Sequence, residues 1–167
     1  MIFRCFYPSD VARRWDTYLT RPPKNPAELE SASELILGHF TSSTFFPEIA
    51  ANGLLPDQNK ERATEDGLPS DEHSVYLLPR FDRFYMDRAV KSHGGEALII
   101  EVIVFRAALS ADQEWFAPID LPITDAMDAL SKTMCGGACR HLGPVRAHQI
   151  LSIRTSDGVI LMGKDTE

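Results

Sequence analysis

Five apolar runs, separated by polar or Gly/Pro-rich stretches, set the framework of this 167-residue chain. Leu35 to Phe40 reads as a strand, although its leucines alone also permit a helix. It ends on the polar residues His39 and Thr41. Ser74-Val75-Tyr76-Leu77-Leu78 reads as a second strand, stopped by Pro79. Glu96 to Phe105 is the clearest strand pattern in the chain, because Ile, Val and Phe dominate it. His148 to Arg154 and Val159 to Met162 follow, with Ser156-Asp157-Gly158 between them suited to a hairpin turn.

Helical spacing fills the intervals. Ser9 can cap a first helix that carries Val11, Trp15, Tyr18 and Leu19 on one face. Pro26 suits the first turn of a short second helix through Glu30. Thr44 is placed to cap a helix bearing Phe45, Phe46, Ile49 and Ala50, and Gly53 supplies its left-handed stop. Residues 56 to 73 are charged and punctuated by Gly and Pro, so they read as a long surface loop. Phe81 to Ser92 forms an amphipathic helix ended by His93-Gly94-Gly95, and 112 to 122 reads as irregular. Thr124 can cap a helix through Leu130, and Cys135-Gly136-Gly137-Ala138-Cys139 reads as a flexible break. In order, these elements predict one α+β domain with mostly antiparallel strand pairing. A helical layer over 1–34 would pack on a core over 35–167.

Composition narrows the function classes. A net charge of -7 argues against the clustered basic face that duplex nucleic acid requires. Hydrophobic residues at 44% and no long uncharged apolar window argue against a membrane partner. The first eight residues lack the apolar core of a signal peptide. Three cysteines suggest a reducing compartment, so a cytoplasmic location is expected.

Three polar residues interrupt the apolar strands: His39, Tyr76 and Glu101. An imidazole and an aromatic face on neighbouring strands can orient and stack one planar, hydroxyl-rich ligand. The alternative is that Tyr76 is an ordinary strand residue and His39 a satisfied structural histidine. Cys135 and Cys139 with His141 and His148 lack the paired spacing of structural zinc. Neither a Gly-x-Ser-x-Gly elbow nor a phosphate loop is present.

Leu37-Gly38-His39-Phe40-Thr41 followed by Ile49-Ala50-Ala51-Asn52-Gly53-Leu54-Leu55-Pro56 resembles the first motif of the ADP-ribosyltransferase superfamily, in its His-Tyr-Glu branch. Ser74-Val75-Tyr76-Leu77 is similar to the second motif. Gly94 to Val102 is similar to the strand that follows, and Val145 to Ile150 to the final segment. The resemblance spans about residues 35 to 155. It implies a split, mostly antiparallel sheet core with flanking helices that binds NAD as substrate in a central crevice. It implies that His39, assisted by Thr41, holds a ribose. Tyr76 would stack on the nicotinamide, with Tyr85 or Phe84 as the opposite wall. ADP-ribose would pass to an unspecified acceptor, as in toxin- or effector-like enzymes.

The third motif departs from the family. Gly137 to Leu142, where the family carries an acid or amide, contains no carboxylate. Glu101, Asp112 or Glu114 could supply the acid, or Arg140 or His141 could take its place. A lost acid would leave a nucleotide-binding or protein-interaction module. Arg140, His141 and Arg146 together would instead resemble the phosphate-gripping set of the RNA 2′-phosphotransferases, which share the fold.

Overall fold

Alternation and β-branching decide the centre of the fold. The computed structural model describes residues 2–4, 26–56, 71–79, 81–112 and 122–163. Its elements in order are β1 (Ile2–Arg4), α1 (Pro26–Ser31), β2 (Glu34–Ser42), α2 (Phe46–Asn52), β3 (Ser74–Leu77) and α3 (Arg83–His93). They continue with β4 (Ala97–Phe105), β5 (Leu109–Ala111), α4 (Ala126–Gly136), β6 (Cys139–Leu142), β7 (Ile150–Thr155) and β8 (Ile160–Gly163). The strands make two sheets, ordered β1-β2-β4-β7-β8 and β3-β6-β5. All pairings are antiparallel except β1 with β2.

Period-2 alternation sorts the side chains of β2 and β4 onto two faces. Leu35 and Leu37 join Leu98, Ile100, Val102 and Val104 in the main core, closed by Leu130 and Met134 of α4. Ile36, Phe40 and Ile99 face the other way, against Met86 and Val90 of α3. β4 can be apolar at every position but Glu101 because both its faces are covered. The small sheet turns Val75, Leu77, Cys139 and Leu109 into the main core.

Two backbone contacts lock these parts together. Gly38 and Leu78 exchange hydrogen bonds of 2.8 Å in each direction, joining β2 to the end of β3. Leu54 and Val145 do the same at 2.8 and 2.9 Å, tying the segment after α2 to the segment before β7. Gly53 makes the second contact possible, with φ of 83° and a Cβ position only 2.1 Å from the Val145 carbonyl oxygen.

The α+β expectation agrees with this mixture of helices and antiparallel sheets, and the short Pro26 helix and the C-terminal hairpin are present. Several local expectations are corrected. Ser42, not Thr44, caps the turn that leads into α2, its Oγ accepting from Thr44 N–H at 3.2 Å. Asp125, not Thr124, caps α4, its carboxylate accepting from the N–H groups of Met127 and Asp128 at 2.9 Å. An ionised carboxylate accepts from both free N–H groups at once and is favoured at the positive helix end. Cys135 and Gly136 complete α4, and Cys139 begins β6, so the expected flexible break is a helix end followed by a strand. β1, β5 and β6 were not anticipated. The predicted 11–19 helix, most of the 56–73 loop and most of 112–122 lie outside the described residues.

Gly53→Ala should lower the unfolding free energy by about 2 kcal/mol or more, because it adds both a left-handed φ penalty and a backbone clash. Gly94→Ala, at φ of 69° with open space around the new methyl, should cost only about 1 kcal/mol. Urea unfolding of the two variants separates the clash from the φ penalty. Equal losses would remove the close approach as the reason for glycine at 53.

Candidate functional site at the junction of the two sheets

The site is built where β3 meets β2. Because Gly38 bridges Leu78, the next residue on β2 lies beside the β3 backbone. The Nδ1–H of half-buried His39 donates to the Tyr76 carbonyl oxygen at 2.9 Å. A carbonyl only accepts, so this bond places the proton on Nδ1 and leaves Nε2 as the acceptor of the neutral ring. Thr41 lies two residues further on the same face of β2.

Tyr76 is half-buried and packs with Tyr85 of α3 against the second apolar cluster. Its hydroxyl oxygen accepts from the Asp71 N–H at 2.9 Å, which pins the far end of the ring. Asp71 is itself held in a tight turn: Oδ1 accepts from His73 N–H at 3.0 Å and Oδ2 from the Ser74 hydroxyl at 2.6 Å. Arg140 approaches the same carboxylate, Nη1 to Oδ2 at 3.4 Å, and its Nε donates to the Ala111 carbonyl at 3.0 Å. The Ser74 hydroxyl first, then the His73 N–H, and less strongly the Arg140 charge hold the Asp71 carboxyl below its ordinary value of 3.8. Partial desolvation opposes them.

Register explains which side chains share this face. Tyr76 is paired with Arg140 and Arg140 with Ser110, so one residue from each strand forms a row across the small sheet. Ala138, just before β6, belongs to the same apolar cluster as Tyr76 and Tyr85. The neighbouring row is Val75, His141 and Leu109. It points to the opposite face, into the main core.

The sequence-predicted residues therefore divide. His39 reaches the Tyr76 main chain from the main-core side of β2, with Thr41 beside it, whereas the Tyr76 ring and Tyr85 lie with the apolar cluster on the α3 side. Phe84, 60% exposed, meets the Tyr85 ring edge-on at 5.4 Å. His141 is separated from Tyr76 by strand alternation; it is buried, with Nδ1–H donating to the Gly143 carbonyl at 3.1 Å. Glu101 is fully buried on the α3 side of the large sheet, opposite Gly38 in register, whereas His39 points to the other side. Its Oε2 accepts from Ser152 Oγ at 2.8 Å and from Arg154 Nη2 at 3.3 Å. Asp112 lies just beyond β5, half-buried, and Glu114 lies outside the described residues. Arg146 is exposed in the turn before β7, so Arg140, His141 and Arg146 do not converge.

Sequence reading missed Asp71 and Ser110. The Asp-x-x-Ser spacing at 71–74 was the available signal, since it is the pattern of a side-chain-capped turn. Ser110 offered none. Among the described residues no group of three or more His, Cys, Asp or Glu side chains could hold a metal ion. None of their helices is long and apolar enough to cross a membrane. No protein family, curated protein or solved structure matches the chain.

Two outcomes follow from this geometry. Glu101→Ala should cost about 3 kcal/mol of stability by leaving Arg154 as an uncompensated buried charge, read by chemical unfolding. A loss below about 1 kcal/mol would mean that the pair contributes little. For Asp71, a depressed folded-state pKa means stability that is present above pH 4 and lost as pH falls through the folded value. The stability gap between the native chain and Asp71→Asn should therefore shrink in acid, and a gap independent of pH would contradict the assigned bonds.

Proposed function

We propose that the protein is a mono-ADP-ribosyltransferase of toxin or effector type, binding NAD where its two sheets meet and moving ADP-ribose to an acceptor. The observation that carries this reading is the 2.9 Å bond between His39 and the Tyr76 main chain. It joins the two residues on which the resemblance rests, although 37 positions separate them in sequence. The split arrangement of two mostly antiparallel sheets supports the same reading.

In this reading Tyr76 stacks on the nicotinamide ring, and Tyr85 and Phe84 of α3 supply the facing wall. His39 presents Nε2 to a ribose hydroxyl, which donates to it; Thr41 adds a hydroxyl on the same face. The glycosidic C–N bond at the nicotinamide ribose breaks, nicotinamide leaves with the bonding pair, and the acceptor nucleophile forms the new bond to that carbon. Charge builds on the ribose through an oxocarbenium-like transition state. Positioning and nearby negative charge are then the protein's main contributions. Asp71, anchored in the Tyr76 turn, supplies that charge only when its contact with Arg140 opens.

A second reading is a nucleotide-binding or interaction module on the same fold. It is favoured by the occupants of the Tyr76 face around β6, which are Ala138 and Arg140 and no carboxylate. The RNA 2′-phosphotransferase reading is not favoured, because its three cationic groups are dispersed.

His39→Ala and Tyr76→Ala should each reduce NAD cleavage or transfer at least a hundredfold, while each lowers stability by only about 1 kcal/mol. Incubation of the native chain with labelled NAD and whole-cell extract should place label on protein, nucleic acid or a small molecule. NAD binding by calorimetry without any label transfer would select the binding module. Absence of both would end the NAD reading.

A further inference from the structure

We propose that Arg140 and Ser110 form an anion subsite beside Tyr76, selecting a ligand that carries a phosphate next to a planar ring. The row Tyr76–Arg140–Ser110 crosses all three strands of the small sheet on one face. Adjacent strands lie about 4.8 Å apart, so a phosphate one or two bonds beyond a ring stacked on Tyr76 falls over Arg140.

The guanidinium is placed for this task. Its Nε is fixed by the Ala111 carbonyl at 3.0 Å, which sets the plane of the fork from the backbone. Among the described residues its other bond is a single Nη1 contact to Asp71 at 3.4 Å, long for a charge-assisted hydrogen bond. Asp71 does not depend on that contact, because His73 N–H and the Ser74 hydroxyl hold both its oxygens. The pair can therefore open without loss of the turn that grips the Tyr76 hydroxyl. Asp71 acts as a resident counter-ion, and a phosphate takes its place on the two Nη groups in the bidentate geometry that guanidinium favours.

Ser110 is the independent second observation. Its Oγ is buried with no hydrogen-bond partner among the described residues. Register places it directly across from Arg140. A buried hydroxyl left unsatisfied costs stability, and a phosphate oxygen beside Arg140 is an acceptor that would satisfy it. Net charge of -7 gives the chain no general attraction for anions, so affinity must come from this local row.

The inference draws on the proposed function only for Tyr76 as the stacking surface, and the comparison that decides it needs no NAD. Phenyl phosphate and phenol carry the same ring and differ by the phosphate. At low ionic strength, amide chemical-shift titration of the full chain should show phenyl phosphate binding about tenfold more tightly, with shifts at 71–76, 110 and 140. Arg140→Gln should bring the two ligands within twofold. Arg140→Lys, which keeps the charge without the fork, should fall between. Asp71→Asn keeps the turn's acceptor but removes the competing charge, and it should retain or strengthen the preference. Ser110→Ala leaves the ion pair intact and should weaken phenyl phosphate about threefold and phenol not at all, which preserves the test should Arg140→Gln not fold.

Equal affinity of the native chain for both ligands, no binding of phenyl phosphate, or a preference that survives Arg140→Gln would overturn the subsite. So would loss of the preference in Asp71→Asn. A phosphate preference in a chain that does not bind NAD would remove the transferase reading and leave the subsite standing. Weaker NAD binding in Arg140→Gln assigns the anion to the dinucleotide; unchanged NAD binding with the preference lost assigns it to the acceptor.

Discussion

The reciprocal backbone bonds between Gly38 and Leu78 are the constraint on which the arrangement depends. Both are 2.8 Å long, and they are the main-chain contact between the two sheets at β2 and β3. They fix where β3 crosses β2. From that crossing follow the reach of His39 to the Tyr76 carbonyl and the packing of Tyr76 and Tyr85 against one apolar cluster. The bridge works on backbone groups alone, so the flanking side chains are left for chemistry. The Leu54–Val145 bridge performs the matching service beyond α2, and it brings Leu54 beside Val145 although they are far apart in sequence.

Polar residues in apolar strands looked equivalent in the sequence, and they are not. Glu101 stands opposite Gly38 and lies against Ser152 and Arg154 with no exposure. A carboxylate there is a component of the sheet packing, expensive to disturb and remote in direction from His39. His141 follows the same logic on the small sheet, where Val75 and Leu109 are its neighbours in register. In both cases one residue of alternation decides between core and site.

That parity rule also marks how far the sequence could be read. The long strands β2 and β4 were legible because apolar residues run through much of their nine positions, with β-branched Ile and Val dense in β4. His39 and Tyr76 could be singled out because each is a polar group set within an apolar strand pattern. β5 and β6 were not, since three and four residues are too few for a period to show, and Cys-Arg-His-Leu has little strand character by composition. With β6 unread, the face of Arg140 and of His141 could not be assigned. Asp71 escaped notice because its role arises from a turn that closes on Tyr76 from outside any strand.

The charge at this junction has a consequence for chemistry. A transferase of the proposed type needs negative charge close to the developing oxocarbenium, yet β6 contributes a cation on the Tyr76 face. While Arg140 contacts Asp71, the two charges largely cancel, and the site offers little field to a positive transition state. If a phosphate takes Arg140, the Asp71 carboxylate is released from its partner while still anchored beside Tyr76 by Ser74 and His73. Binding of an anionic group would then create the negative charge that the chemistry requires. In that arrangement an unpaired carboxylate stands beside Tyr76 only in the presence of the correct ligand. Specificity and catalysis would draw on the same ion pair, and a ligand without the phosphate would be held on Tyr76 yet left unreacted.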